Sequence, residues 1–106
     1  MRLLNIDYIP GCEIEALGMV KGAVVQSKHI GKDIGASFKT LVGGELKGYT
    51  EMLDEARSIA VTRMIGEASV LGADAIINIR YASSAIAQGA AEVLAYGTAV
   101  RIIGSK

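Results

Sequence analysis

Two side chains in this 106-residue sequence suit soft-metal chemistry, Cys12 and His29, and each is the sole representative of its type. A thiolate or imidazole site needs two to four such ligands around one ion. Cys12 follows the Pro10-Gly11 pair directly and His29 follows a strand-like stretch, so neither belongs to a C-x-x-C or H-x-x-x-H arrangement. A site for a divalent or soft metal ion would have to recruit carboxylates such as Glu13, Glu15 or Asp33, or be shared between copies of the chain. The plain alternative is an inert thiol packed as a small hydrophobe and an imidazole at the surface.

Other chemistry is thinner. Gly43 to Gly48 has the spacing that opens a phosphate loop, but Tyr49-Thr50 stands where the motif requires Lys followed by Ser or Thr. The acids Glu51, Asp54 and Glu55 just beyond it would also oppose an anion. Ser27 and Ser83-Ser84 have no placed base, and Glu51, Asp54, Glu55 and Glu67 read as the solvated face of a helix. No catalytic residue and no organic cofactor is expected, and the chain reads as non-enzymatic. Arg57, Arg63 and Arg80 are either ion-pair partners of Asp54, Glu67 or Asp74, or anion ligands. In the second case Arg80 and Tyr96 would converge as ligand contacts between subunits.

Composition narrows the partners. Eleven basic residues balance eleven acidic ones, and the chain has one Phe and no Trp. It therefore lacks both the field and the stacking platforms of a nucleic-acid binder. Hydrophobic residues reach 51% and mean hydropathy is +0.38, yet no stretch approaches the roughly 20 apolar residues of a membrane span. Asn5 and Asp7 break the N-terminal apolar run, which makes a poor secretory signal. The expected location is cytoplasmic, in agreement with a single cysteine. The length suits one domain spanning residues 1–106 with one modest core.

The elements that must position these residues follow from periodicity. Leu3 to Ile9 reads as a short edge strand stopped by Pro10-Gly11. Ala16 to Ser27 reads as a strand with Gly18 and Gly22 on one face, expected to admit a closely packed helix. A short helix is expected over Asp33–Val42. A long one starts with Thr50 as N-cap and carries the stripe Leu53, Ala56, Ala60, Met64, Ala68 and Leu71, with Gly72 as its left-handed stop. Ala75 to Tyr81 forms the next strand, with Arg80 on the face of Ile76 and Asn78. Ala82 to Ala90 reads as a loop, and Ala91 to Ile103 as the last strand, with Tyr96 beside Leu94 and Thr98.

This pattern predicts an α+β fold of β-α-β-β type, with a three-stranded antiparallel sheet in the order 1-3-2, one long helix and one short one. A single helix covers one side of the sheet, and the apolar residues left on the other, among them Leu17, Met19 and Val25, call for a second copy.

With the elements in place, the sequence resembles the YbjQ-like family of small bacterial and archaeal proteins labelled as heavy-metal-binding. The residues that carry the resemblance are Leu17-Gly18-Met19-Val20-Lys21-Gly22, Gly43-Gly44, Tyr49, Ala56-Arg57, Ala60, Leu71-Gly72-Ala73-Asp74-Ala75 and Tyr96-Gly97-Thr98-Ala99-Val100. The resemblance implies a dodecin-subunit-like fold and a closed homo-oligomeric ring, a pentamer or a pair of pentamers forming a decamer, with a barrel-like middle. The expectation is a homo-oligomeric protein that binds a metal ion or small ligand. A structural scaffold acting through a partner protein is the alternative.

Overall fold

The computed structural model describes residues 1–27 and 47–106. His29, Asp33 and the short helix expected over Asp33–Val42 lie outside the described residues. Along the chain run β1 (Arg2–Leu3), β2 (Cys12–Ser27), the helix α1 (Lys47–Val70), β3 (Ala75–Ala87) and β4 (Ala90–Ser105). Between β1 and β2, the Ile9 carbonyl accepts the Cys12 N–H at 3.1 Å, and Gly11 has φ 74°. Proline second and a left-handed glycine third make a type II turn. β2 therefore starts at Cys12, four residues before the periodic pattern begins.

The fold is α+β, but the sheet has four strands in the order β1-β3-β4-β2 and is mixed, because β1 pairs with β3 in parallel. This replaces the expected three-stranded antiparallel sheet in the order 1-3-2. Among the three strands read from the sequence, the last lies between the other two, as a hairpin return requires. The added strand joins beyond β3, where Leu4 donates its N–H to the Ile76 carbonyl at 2.9 Å and Asn78 donates to Ile6 at 2.9 Å. Ala82 to Ala87 is also strand, and a two-residue turn at Gln88-Gly89 joins it to β4.

The helix docks on β2 and β4 and hardly reaches β3. Its buried stripe is Ala56, Ala60, Met64 and Ala68, packed on Val20, Val24, Ile76, Val93, Ala95 and Ala99, with Met52 also buried. Leu53 packs only at the margin and Leu71 is exposed. Gly22 sets the closeness of approach: a Cβ there would run into the Ala60 carbonyl and lie 2.5 Å from the Met64 nitrogen. Gly18 does not share that role. It is exposed, has φ 139° and sits at a register shift between Ala16 and Gly18, so it marks a bulge. The bulge turns Leu17 toward the helix-side core, away from the open face expected for it. Thr50 lies inside the first turn of α1, which begins at Lys47, and so is not its N-cap.

The helix closes as a Schellman motif. Ala73 N–H donates to the Ala68 carbonyl at 3.1 Å and Gly72 N–H to Ser69 at 3.0 Å, with Gly72 at φ 76°. A second, smaller core lies on the opposite face of the sheet. Ile9, Ala75, Ile77 and Val100 are buried there, with Leu4, Cys12, Ile14 and Ile102 packed around them. The N-terminal segment thus covers one end of the face that the helix leaves free. No helix among the described residues is long and apolar enough to cross a membrane.

Candidate functional site

The backbone at Asn78 decides where Arg80 goes. Asn78 is the one described non-glycine residue with positive φ, 56°, and the register shifts between Ile77 and Arg80, with Ile77 opposite Thr98 and Arg80 opposite Tyr96. Asparagine tolerates this left-handed conformation better than most residues. The extra residue reverses the inside–outside alternation of the strand. Arg80 is therefore on the face opposite the helix, not on the face of Ile76 where simple alternation puts it. Asparagine inside an otherwise apolar strand pattern was the available signal.

On that open face Lys21 of β2, Tyr96 of β4 and Arg80 of β3 occupy one cross-strand row. Met19, Asn78, Arg80, Tyr96, Gly97 and Thr98 line a shallow depression of about 430 Å³. Arg80 and Tyr96 thus come together within one chain. Met19, expected on the open face as an apolar residue, borders the same surface, as do Asn78 and Thr98, which sequence reasoning did not single out as ligand contacts. The depression presents amide, hydroxyl and guanidinium donors beside a thioether, a set suited to a ligand rich in acceptor oxygens. Arg80 is partly engaged already: its Nη1 donates to the Asn5 carbonyl at 3.1 Å and to the Ile79 carbonyl at 3.3 Å. A larger trough of about 880 Å³ lies at the outer edge of β3, between the N-terminal segment, Val61, Ile79 and Tyr81.

The other arginines serve structure. Arg57 pairs with Asp54 at 2.7 Å on the exposed helix surface. Arg63 and Glu67, spaced for a mutual pair, both turn to β2: Arg63 Nη1 donates to the Ala23 carbonyl at 2.6 Å, and Glu67 Oε1 accepts the Lys21 N–H at 3.0 Å. Asp74 Oδ2 accepts the Ile102 N–H at 2.8 Å. Cys12 is half-buried against the smaller apolar core. Among the described residues no three His, Cys, Asp or Glu side chains stand close enough to hold a metal ion. Of the two residues expected as metal ligands, Cys12 is described and His29 lies outside the described residues.

A family model described as "Putative heavy-metal-binding" matches residues 1–103. A UPF0145 protein of Clostridium novyi is 63% identical over 103 residues, covering 97% of this chain and all of that one. A UPF0145 protein of Thermotoga maritima is 60% identical over 103 residues, covering 96% and 97%. A crystal structure of a Pediococcus pentosaceus protein of unknown function from the DUF74 family superposes with a TM-score of 0.63 at 19% identity, covering 97% of this chain and 98% of that one. At that identity the likeness concerns the fold alone. The matches by sequence span the whole pattern of glycines, helix stripe and last strand, and the chain belongs to the YbjQ family.

Proposed function

We propose that this protein is a non-enzymatic binding protein assembled from copies of itself, a ring of five or ten, with a small ligand held at the open sheet face between copies. The observation that carries this reading is the half-sided coverage of the sheet. Met19 and Val25 are 77% and 60% exposed on the face that α1 does not cover, with Leu94 and Tyr96 between strands beside them. Apolar residues exposed on either side of the Lys21, Tyr96 and Arg80 row, on one face of a small chain, are the mark of an interaction surface. The depression at Arg80 and Tyr96 opens onto it, so a ligand seated there would be enclosed by the next copy. Its donors favour a carboxylate or phosphate group.

Native mass spectrometry of the untreated protein tests both parts. The expected spectrum shows a multiple of the 11.1 kDa chain carrying extra mass that Arg80→Ala loses. A bare 11.1 kDa monomer would defeat the reading.

A metal-binding function is the second reading, favoured by the description of the family model. The described ligand set then has to be completed by His29 or by a second copy, since one thiolate alone holds no ion firmly. Calorimetric titration with zinc or copper(I) distinguishes the two. Heat that disappears in Cys12→Ser supports the metal, and equal heats in wild type and variant remove Cys12 as a ligand.

A further inference from the structure

The bulge in β3 is shaped by two strands. Asn78 enters the left-handed region at φ 56°, and Gly97 of β4 gives the bulge room. A Cβ at position 97 would lie 2.8 Å from the Ile77 carbonyl oxygen and 2.9 Å from Ile76 Cγ2. Glycine meets a left-handed backbone without steric cost, and every other described residue with positive φ is a glycine. Asn78 is the exception, and it lines the depression together with Arg80, Tyr96, Thr98 and Met19. What asparagine adds to the backbone role of a glycine is an amide, a carbonyl acceptor and an N–H donor side by side.

We propose that Asn78 selects the ligand of the depression beside Arg80 and Tyr96, and that this ligand is a small 2-hydroxycarboxylate. The proposal rests on the small-ligand reading given above and names the chemical class. Arg80 is held through Nη1 by the Asn5 and Ile79 carbonyls, so its charge is fixed in place before a ligand arrives, and its remaining N–H groups suit a carboxylate. The Asn78 amide matches both halves of such a ligand. Its N–H donates to a carboxylate oxygen, and its carbonyl accepts the hydroxyl next to that carboxylate. A plain carboxylate lacks the hydroxyl and leaves the amide oxygen unpaired. A 2-amino acid also brings a donor, but its ammonium would stand beside the cations of the cross-strand row, Lys21 and Arg80. No carboxylate is among the described residues that line the depression to offset them. The exposed Met19 side chain gives an aliphatic substituent a surface to lie on.

Acids that differ only at C2 provide the test: 2-hydroxy-4-methylpentanoate, 4-methylpentanoate and leucine, titrated calorimetrically into the intact protein. Wild type is expected to bind the hydroxy acid at least about tenfold more tightly than either analogue. Asn78→Gly keeps the backbone conformation and removes the amide, so it should bind the hydroxy acid and 4-methylpentanoate alike. Asn78→Asp keeps a residue that tolerates the left-handed region and sets a carboxylate against the ligand's own, so it should lose both. Arg80→Ala should lose every one of these acids. A wild type that does not distinguish the hydroxy acid from 4-methylpentanoate overturns the inference, as does an Asn78→Gly or Asn78→Asp variant that binds them as wild type does. Loss of binding in Arg80→Ala would then still uphold the depression as the ligand site. A wild type that binds inorganic phosphate through Arg80 and none of the acids likewise overturns the inference alone. A wild type that binds neither the acids nor inorganic phosphate removes the ligand reading of the depression, and the inference with it.

Discussion

One strand of this molecule lives in two environments. From Ala75 to Ile77, β3 is buried on both faces, under the helix-side core on one and the N-terminal segment on the other. From Arg80 to Ala87 every residue is exposed, and among the described residues the backbone of this segment is paired with β4 alone. The bulge at Asn78 is the border. The difference has a geometric cause. A 24-residue helix spans about 36 Å, whereas each 16-residue strand runs to about 50 Å. The helix also lies mainly over β2 and β4 and reaches β3 only at its buried end. The described residues leave part of the sheet uncovered.

The sharpest way to probe this contrast is to make the same truncation on both sides of the bulge. Ile76 is fully buried and Ile86 is 56% exposed. Ile76→Ala should lower the unfolding free energy by about 2–5 kcal/mol, and Ile86→Ala by less than about 0.5 kcal/mol for the single chain, both read from urea titrations. Equal costs would mean that the two halves are supported alike. Next in size, Gly22→Ala should cost about 1–3 kcal/mol, because the added methyl meets helix backbone that has no rotamer to yield. Asn78→Val should cost about 1–2 kcal/mol through its left-handed backbone, and Asn78→Gly should restore stability. If Asn78→Val is silent, the bulge is not what holds Arg80 beside Tyr96. The smallest effect is expected at the exposed Arg101–Glu15 pair, 3.2 Å apart: Glu15→Ala should change stability by less than about 1 kcal/mol.

The supported half was legible in the sequence, and the exposed half was not. The alanine stripe and Gly22 announced a close helix–strand contact, and Gly72 announced the helix stop. Local spacing suffices for such features because each is set within a few turns of chain. Ala82 to Ala87 read as a loop since alanine and serine have little preference for strands, and only pairing with β4, decided at the Gln88-Gly89 turn, makes them one. β1 was mislocated for a related reason, as two residues carry no periodicity and their parallel pairing to β3 is a tertiary event. For the candidate site, Arg80 and Tyr96 were named as partners, while the face they share depended on an inserted residue that alternation alone does not reveal. Cys12 stood out by rarity, and its half-burial in an apolar cluster gives it a packing role.

On the proposed reading, further copies of the chain cover the sheet face that the described residues leave open. Sedimentation velocity at micromolar concentration measures this most directly. A single boundary at a multiple of the 11.1 kDa chain mass, unchanged on tenfold dilution, is the expected result. A boundary at 11.1 kDa throughout the series would contradict it, and the open face of β2, β3 and β4 would then be a free surface.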